Sequence, residues 1–252
     1  MLIGNHVLSS SNQDSESQNK MNKVFAVGVG PGSPKDVTDI VKDAISQCDV
    51  VIGYGYTIKT IEILVKGKKI LEVTMQNQED AYQEVAKEDN HTILIPFTGD
   101  VNFSESEVVD RLIEIYDEVE IIPGISSTQV AASRAKVPTD KSKVITMHIS
   151  TSIEEKKLEL QKALIDGFSV IVIPRPWPKV PEKHFMQSEI AKYLKQNGFN
   201  TSKMKVHVYE SITTENETSF VGTVNQLEEK EFSDLSIMVF NQATLESYIN
   251  FE

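Results

Sequence analysis

Two hydrophobic rhythms alternate along the first half of this chain. Compact apolar runs at 24–30, 49–53, 68–73, 91–97 and 119–122 are bounded by glycine, proline or polar residues and read as strands. Between them the apolar positions fall at helical spacing. Val37, Ile40, Val41, Ala44, Ile45 and Cys48 form one face behind Asp36, a candidate cap. Val108, Val109, Leu112, Ile113 and Tyr116 form another behind Ser104 and Glu107, an S-x-x-E capping box. A more polar helix is predicted near 78–88, and one opening on hydroxyls after Pro123-Gly124. This rhythm belongs to a parallel or mostly parallel sheet covered on both faces.

Pro138-Thr139-Asp140-Lys141 breaks the rhythm and reads as a linker. Beyond it, strands are predicted at 142–148, 168–173, 204–210, 218–224 and 235–240, with helices near 154–165 and 185–197, the second stopped by Gly198. The last strands have no full-length helix between them, so this half should be a mixed sheet with antiparallel pairing. The expected class is α/β with two domains, an N-terminal one over 21–137 and a C-terminal one over 138–252. Residues 1–20 are Ser/Asn/Gln-rich from Ser9 onward and are expected to be a disordered tail, with Met21 a candidate start immediately before the first strand.

Charge and composition narrow the partners. A net charge of −12 argues against nucleic acid, whose binders carry a basic stripe, and against an anionic membrane surface. No stretch approaches the ~18 apolar residues of a membrane helix, and residues 1–20 lack the basic start and apolar core of a secretory signal. The single cysteine, Cys48, excludes an intramolecular disulfide and fits a reducing cytosol, so a cytoplasmic location is expected. Set between Ile45 and Val50, it reads as a small buried hydrophobe. The five histidines are scattered without metal-ligand spacing, and no metal site is expected.

Candidate chemistry concentrates where strands end. Gly28-Val29-Gly30-Pro31-Gly32 follows the first strand, Thr98-Gly99-Asp100-Val101-Asn102-Phe103 the fourth, and Pro123-Gly124-Ile125-Ser126-Ser127 the fifth. Each taken singly is also an ordinary turn, and Asp100 is equally able to shape its own loop or to bind a ligand. Three such loops leaving the carboxyl ends of one parallel sheet favour a ligand site. A dinucleotide fingerprint fails, because G-x-G-x-x-G would need glycine where Ser33 stands and Pro31 has no N–H for a pyrophosphate. No G-x-S-x-G elbow or phosphate-binding G-x-x-x-x-G-K-[ST] loop exists. His148 ends the first strand of the second half. Arg175, Lys179 and Lys183 lie on a proline-stiffened loop that reads either as a flap over an acidic ligand or as a rigid surface connection. Arg134 and Lys136 close the helix after Ser127.

The three loops, in this order, resemble the tetrapyrrole methylase family over roughly 22–241, and Ile122-Pro123-Gly124-Ile125-Ser126-Ser127 with Gln129 and Ala131-Ala132 most resembles the branch that methylates carbon 5 of a precorrin or cobalt-precorrin. Val144-Ile145-Thr146-Met147-His148 resembles that branch's entry to the second domain. The resemblance implies a two-domain fold with a cleft between the domains, S-adenosylmethionine as methyl donor, a tetrapyrrole substrate of cobalamin biosynthesis, a homodimer, and a separate protein for C15 methylation. It implies that Pro31, Gly99, Asp100, Val101, Phe103, Ser126 and Ser127 line the donor site. A sibling substrate, or a non-catalytic binder of the donor, is the alternative. Val101 stands where the family usually has proline, which is expected to loosen the loop. His148 is a candidate proton acceptor, and Arg134, Arg175, Lys179 and Lys183 are candidates for the substrate's carboxylates.

Overall fold

Alternate residues of the first strand face two different cores. In β1 (Lys23–Gly28), Val24 and Ala26 point one way and Phe25 and Val27 the other, all buried. A strand apolar on both sides must lie inside a sheet that is covered on both faces. The computed structural model, which describes residues 22–88, 91–103, 105–149, 151–177 and 184–242, places it there. With β2 (Val50–Tyr54), β3 (Lys69–Val73), β4 (Thr92–Phe97) and β5 (Glu118–Ile122), β1 forms a wholly parallel sheet in the order β3-β2-β4-β1-β5. Helix α1 (Asp39–Gln47) covers the Phe25 and Val27 face through Val41, Ala44 and Ile45. A six-residue helix, α2 (Gly55–Thr60), follows β2. Helices α3 (Gln78–Val85) and α4 (Ser106–Ile115) cover the other face through Tyr82, Val85, Val109 and Leu112.

The predicted faces hold with local exceptions. Ile40 and Ile113 are each 57% exposed, outside the stripes they were assigned to. Asp36 does not cap α1: it lies in a 3-10 turn over Pro34–Asp36, and α1 starts at Asp39. The residue before α4 is Glu105, without a side-chain cap bond, while Ser104 lies outside the described residues. β5 is an edge strand rather than a buried one. Only Ile122 is sealed, and the Lys23 ammonium sits between Glu118 and Glu120 at 2.8 and 2.9 Å.

The second sheet is mixed, as the missing helices required. Its strands are β6 (Ser142–Thr146), β7 (Ser169–Ile173), β10 (Lys205–Glu210), β11 (Thr218–Thr223) and β12 (Ser236–Phe240), in the order β11-β10-β12-β7-β6. Only the β6–β7 pair is parallel. A two-residue hairpin, β8 (Arg175–Pro176) and β9 (His184–Phe185), stands apart. One face packs on α6 (Glu154–Ile165) and α7 (Gln187–Gln196) through Val170, Val172, Val206, Val208, Met238 and Phe240. The alternate residues Ile171, Tyr209, Ile237 and Val239 face α5 (Ser127–Ala135), which meets them with Ala131, Ala132 and Ala135. That alternation is the two-residue period of a strand, and alanines let helix and sheet approach closely. Helix α5 therefore begins at the edge of the first sheet and packs on the second.

What brings the site together is a crossing of three backbones. Register pairs Gly28 with Phe97 and Val27 with Ile122, so β1, β4 and β5 end level with one another. There the backbones of Gly28, Gly99 and Gly124 meet, with no room for a side chain at Gly28 or Gly124. A Cβ on Gly28 would lie 2.5 Å from the Gly99 carbonyl oxygen and 2.6 Å from the Gly124 nitrogen, and one on Gly124 would strike the backbone of both others. Gly67 offers a contrast: its φ is +89°, but nothing stands within 4 Å of an added Cβ. Gly67→Ala should cost only left-handed strain, about 1 kcal/mol. Gly28→Ala must displace backbone and should cost about 3 kcal/mol or more. Thermal unfolding should separate the two by roughly 4–8 °C, at about 2–4 °C per kcal/mol for a chain this long. Equal shifts would mean that the crossing yields.

Candidate functional site

The connections after β1 and β4 leave toward opposite faces, one into α1 and the other into α4. Between two such neighbouring strands an open crevice forms at the carboxyl edge. Gly30 and Gly99 bridge it: the Gly99 N–H donates to the Gly30 carbonyl at 2.8 Å and the Gly30 N–H to the Gly99 carbonyl at 3.2 Å. Both need positive φ, +82° and +71°, which glycine adopts freely. Pro31, next to Gly30, is half-buried.

Asp100 ties the second loop to the third. One carboxylate oxygen accepts from the Gly124 N–H at 2.8 Å, and the other from the Asn102 N–H at 2.9 Å. The aspartate thus shapes its own turn and clamps the neighbouring one. Val101 overturns the expectation of a loosened loop. Its side chain is 1% exposed and buried in the core beneath α4, so burial anchors the loop where proline would have stiffened it. Fully burying such a side chain contributes about 1.5–3 kcal/mol.

The third loop enters α5 through a capping box. The Ser126 hydroxyl accepts from the Thr128 N–H at 3.2 Å, and the Gln129 side-chain oxygen accepts from the Ser126 N–H at 3.0 Å. Ser126 is buried and occupied by this cap, while Ser127 is half-buried. A Cβ on Gly99 would lie 3.7 Å from the Ser127 nitrogen and 3.8 Å from the Ser126 Cα, so the second and third loops stand in van der Waals contact. Between them lies a cavity of about 360 Å³ lined by Asp100, Asn102, Phe103, Pro123, Gly124, Ser126, Thr128 and Gln129. That volume falls in the range of small-molecule sites. Asn102, Thr128 and Gln129 were not singled out as site residues. Their signal was present, since they neighbour Asp100 and Ser126, but which side chains turn toward the space depends on the turns. A cavity of about 410 Å³ lies away from these loops, between 199–205 and 240–242.

The second sheet reaches the same region. The Ser33 N–H donates to the Thr213 hydroxyl at 3.1 Å, and Gly32 is pressed against Thr214. Glu217 joins this loop to α5: it accepts from the Thr213 N–H at 2.7 Å and pairs with Arg134 at 2.9 Å. Arg134 is therefore in an ion pair. Arg175, expected on a surface loop, is instead 2% exposed, with its guanidinium 5.2 Å from the centre of the Trp177 ring. His148 meets that ring edge-on at 4.9 Å. His148 keeps an exposed edge, yet loss of hydration and then the Arg175 charge hold its pKa below the usual histidine value. These three stand at the carboxyl ends of β6 and β7, apart from the glycine crossing. Lys179 and Lys183 lie outside the described residues. Among the described residues no His/Cys/Asp/Glu group is arranged to hold a metal, and no helix is long and apolar enough to cross a membrane.

The family model for Tetrapyrrole (Corrin/Porphyrin) Methylases matches residues 23–228. The chain is 28% identical over 223 residues to a probable cobalt-precorrin-7 C(5)-methyltransferase of Methanocaldococcus jannaschii, covering 86% of this chain and 97% of that one. It is 25% identical to the uroporphyrinogen-III C-methyltransferase of the same organism, covering 82% and 89%. Among solved structures, the methyltransferase CobJ superposes with a TM-score of 0.71 at 17% identity, over 88% of this chain and 95% of that one. The cobalt precorrin-4 methyltransferase CbiF gives 0.66 at 18% identity, over 87% and 94%.

Asp100→Ala should leave the Gly124 and Asn102 N–H groups without their acceptor and lower stability by about 1–3 kcal/mol. Asp100→Asn keeps one acceptor oxygen and should fall between parent and alanine in denaturant titrations. An alanine variant as stable as the parent would remove the clamp from this account.

Proposed function

This chain belongs to the tetrapyrrole (corrin/porphyrin) methylase family, and from that premise we propose that it transfers the methyl group of S-adenosylmethionine to carbon 5 of a precorrin or cobalt-precorrin in cobalamin biosynthesis. The observation that carries the ring position is the similarity to the probable C(5)-methyltransferase along 97% of that relative's length.

The site's donor set fits the methyl donor. A cavity lined by two amides, a carboxylate, hydroxyls and backbone, and bounded by the start of α5, suits a ligand with an amino-acid end and a ribose. It offers no glycine-rich pyrophosphate cradle. In this reading Asp100, Phe103 and Ser126 line the donor cavity, Pro31, Gly99 and Ser127 belong to the loops that frame it, and Val101 takes part through its backbone alone because its side chain is in the core. Asp100 acts chiefly by holding the second and third loops at their spacing. When bound, S-adenosylmethionine supplies a methyl group already activated by a positive sulfur. What remains for the protein is to position the acceptor carbon and exclude water.

Substrate recognition must work against the overall charge of −12, since corrin precursors carry many carboxylates. Arg175 is 2% exposed with its guanidinium over the Trp177 ring, so it reaches the substrate's carboxylates only if that packing opens. Arg134 becomes available only by leaving Glu217. We read the protein as a cytoplasmic homodimer.

Incubation with methyl-labelled S-adenosylmethionine and a panel from uroporphyrinogen III to precorrin-7-type rings, read by mass spectrometry, should show label at carbon 5 of the late intermediate. Label on an earlier ring would move the chain to a sibling reaction, and no label on any would refute the assignment. Calorimetry should find S-adenosylhomocysteine bound at least tenfold more tightly than NAD. Tight NAD binding without an S-adenosyl ligand would overturn the donor site.

A further inference from the structure

One carboxyl at the same sheet edge takes no part in holding the loops. Glu105 directly precedes α4, where a capping side chain would sit, yet it makes no cap hydrogen bond. Its neighbours come from the adjacent strand. Tyr54 ends β2 and Tyr56 lies in α2, with their rings stacked at 5.5 Å and 16°. The Tyr54 hydroxyl donates to the Gln78 side-chain oxygen at 3.0 Å. Because β2 and β4 are paired and parallel, this group stands over the same carboxyl edge as the cavity. Tyr56 is 59% exposed and so presents an aromatic surface to whatever enters.

The electrostatics around Glu105 are those of a group kept ready to exchange a proton. Burial pushes its carboxyl up to about 7. Loss of hydration and then the charge of Glu105 raise both Tyr54 and Tyr56. From α3, Tyr82 and Glu79 face this group, and Arg111 of α4 is turned to Glu79 at 3.6 Å. The positive end of α4 favours the charged carboxylate against the burial that opposes it.

We propose that Glu105 accepts the proton that the substrate ring must shed on methylation, with the Tyr54–Tyr56 step holding the flat ring against it. The inference rests on the methyltransferase reading above. An acceptor carbon that uses a π electron pair to bond the incoming methyl carbon leaves the ring positively charged, while the departing pair stays on the donor's sulfur. Breaking a C–H bond of the ring returns that bond's electron pair to the π system. The proton passes to a Glu105 oxygen and from there to water. Asp100 is ill suited to this role because both its oxygens are engaged by backbone N–H groups. His148 stands at the edge of the other sheet.

The test uses Glu105→Gln and Glu105→Asp in the full chain. Glu105 must be ionised to accept a proton, so single-turnover methyl transfer by the parent should fall about tenfold per pH unit below 7 and level off above it. Glu105→Gln should lose that pH dependence and run about 10²–10⁴-fold slower, the usual span for a general base. Glu105→Asp should keep the pH dependence, and S-adenosylhomocysteine affinity should be unchanged in both. A second readout needs no turnover. A buried carboxyl raised from 4.5 binds its proton more tightly when folded, so the parent should lose thermal stability as pH rises from about 4.5 to 7. Glu105→Gln should lose less over that window. A folded Glu105→Gln with the parent's rate and pH profile overturns this inference alone. A parent that methylates no tetrapyrrole overturns the functional reading and this inference together.

Discussion

The hydrogen bond from the Gly124 N–H to Asp100 holds two loops at a separation that only glycine permits. Three chain segments pass so close there that a single methyl group on Gly28 or Gly124 would strike backbone. This contact is intolerant because backbone cannot rotate away as a side chain can. The capping box that starts α5, the buried anchor at Val101 and the cavity between the loops all take their positions from it. A site built this way is stiff where the loops cross and more adaptable at its rim, where Phe103 and Gln129 turn toward the space.

Much of this was legible in the residues. Glycines and prolines at strand ends marked the three loops, and the alternation of strand and helix implied that they share one edge. What could not be read depended on partners distant in sequence. Val101 looked like a flaw because its burial comes from residues of several strands and α4. Arg175 looked like a surface charge because nothing nearby announced that the hairpin would fold it inward. Glu105 gave no sign at all: its environment is made by tyrosines about fifty residues earlier, brought alongside by the β2–β4 pairing. The six-residue α2 was missed because less than two turns carry no visible period.

The basic residues fall into two different settings. Arg134 is paired across α5 to Glu217, in a loop where Ser211 and Thr213 adopt positive φ. A threonine in that conformation is a genuine outlier, held here by the bonds that Thr213 makes to Ser33 and Glu217. Arg175 is held by an aromatic face. The first is an ion pair open to exchange, the second a fixed charge. An anion approaching the protein would compete with Glu217 at the first, whereas the second is sealed from solvent.

The placement of β12 has a consequence in time. It lies between β10 and β7, and Ile237 and Val239 supply much of the surface on which α5 rests. As the chain leaves the ribosome, all five strands of the first sheet are out before α5 begins, while the β12 part of the surface that covers the alanine face of α5 emerges about a hundred residues later. Throughout that interval the helix that frames the cavity has an incompletely covered apolar side. The nascent protein can therefore close its first sheet early, but the cavity wall gains its support only after the central strand of the second sheet has been threaded between its neighbours.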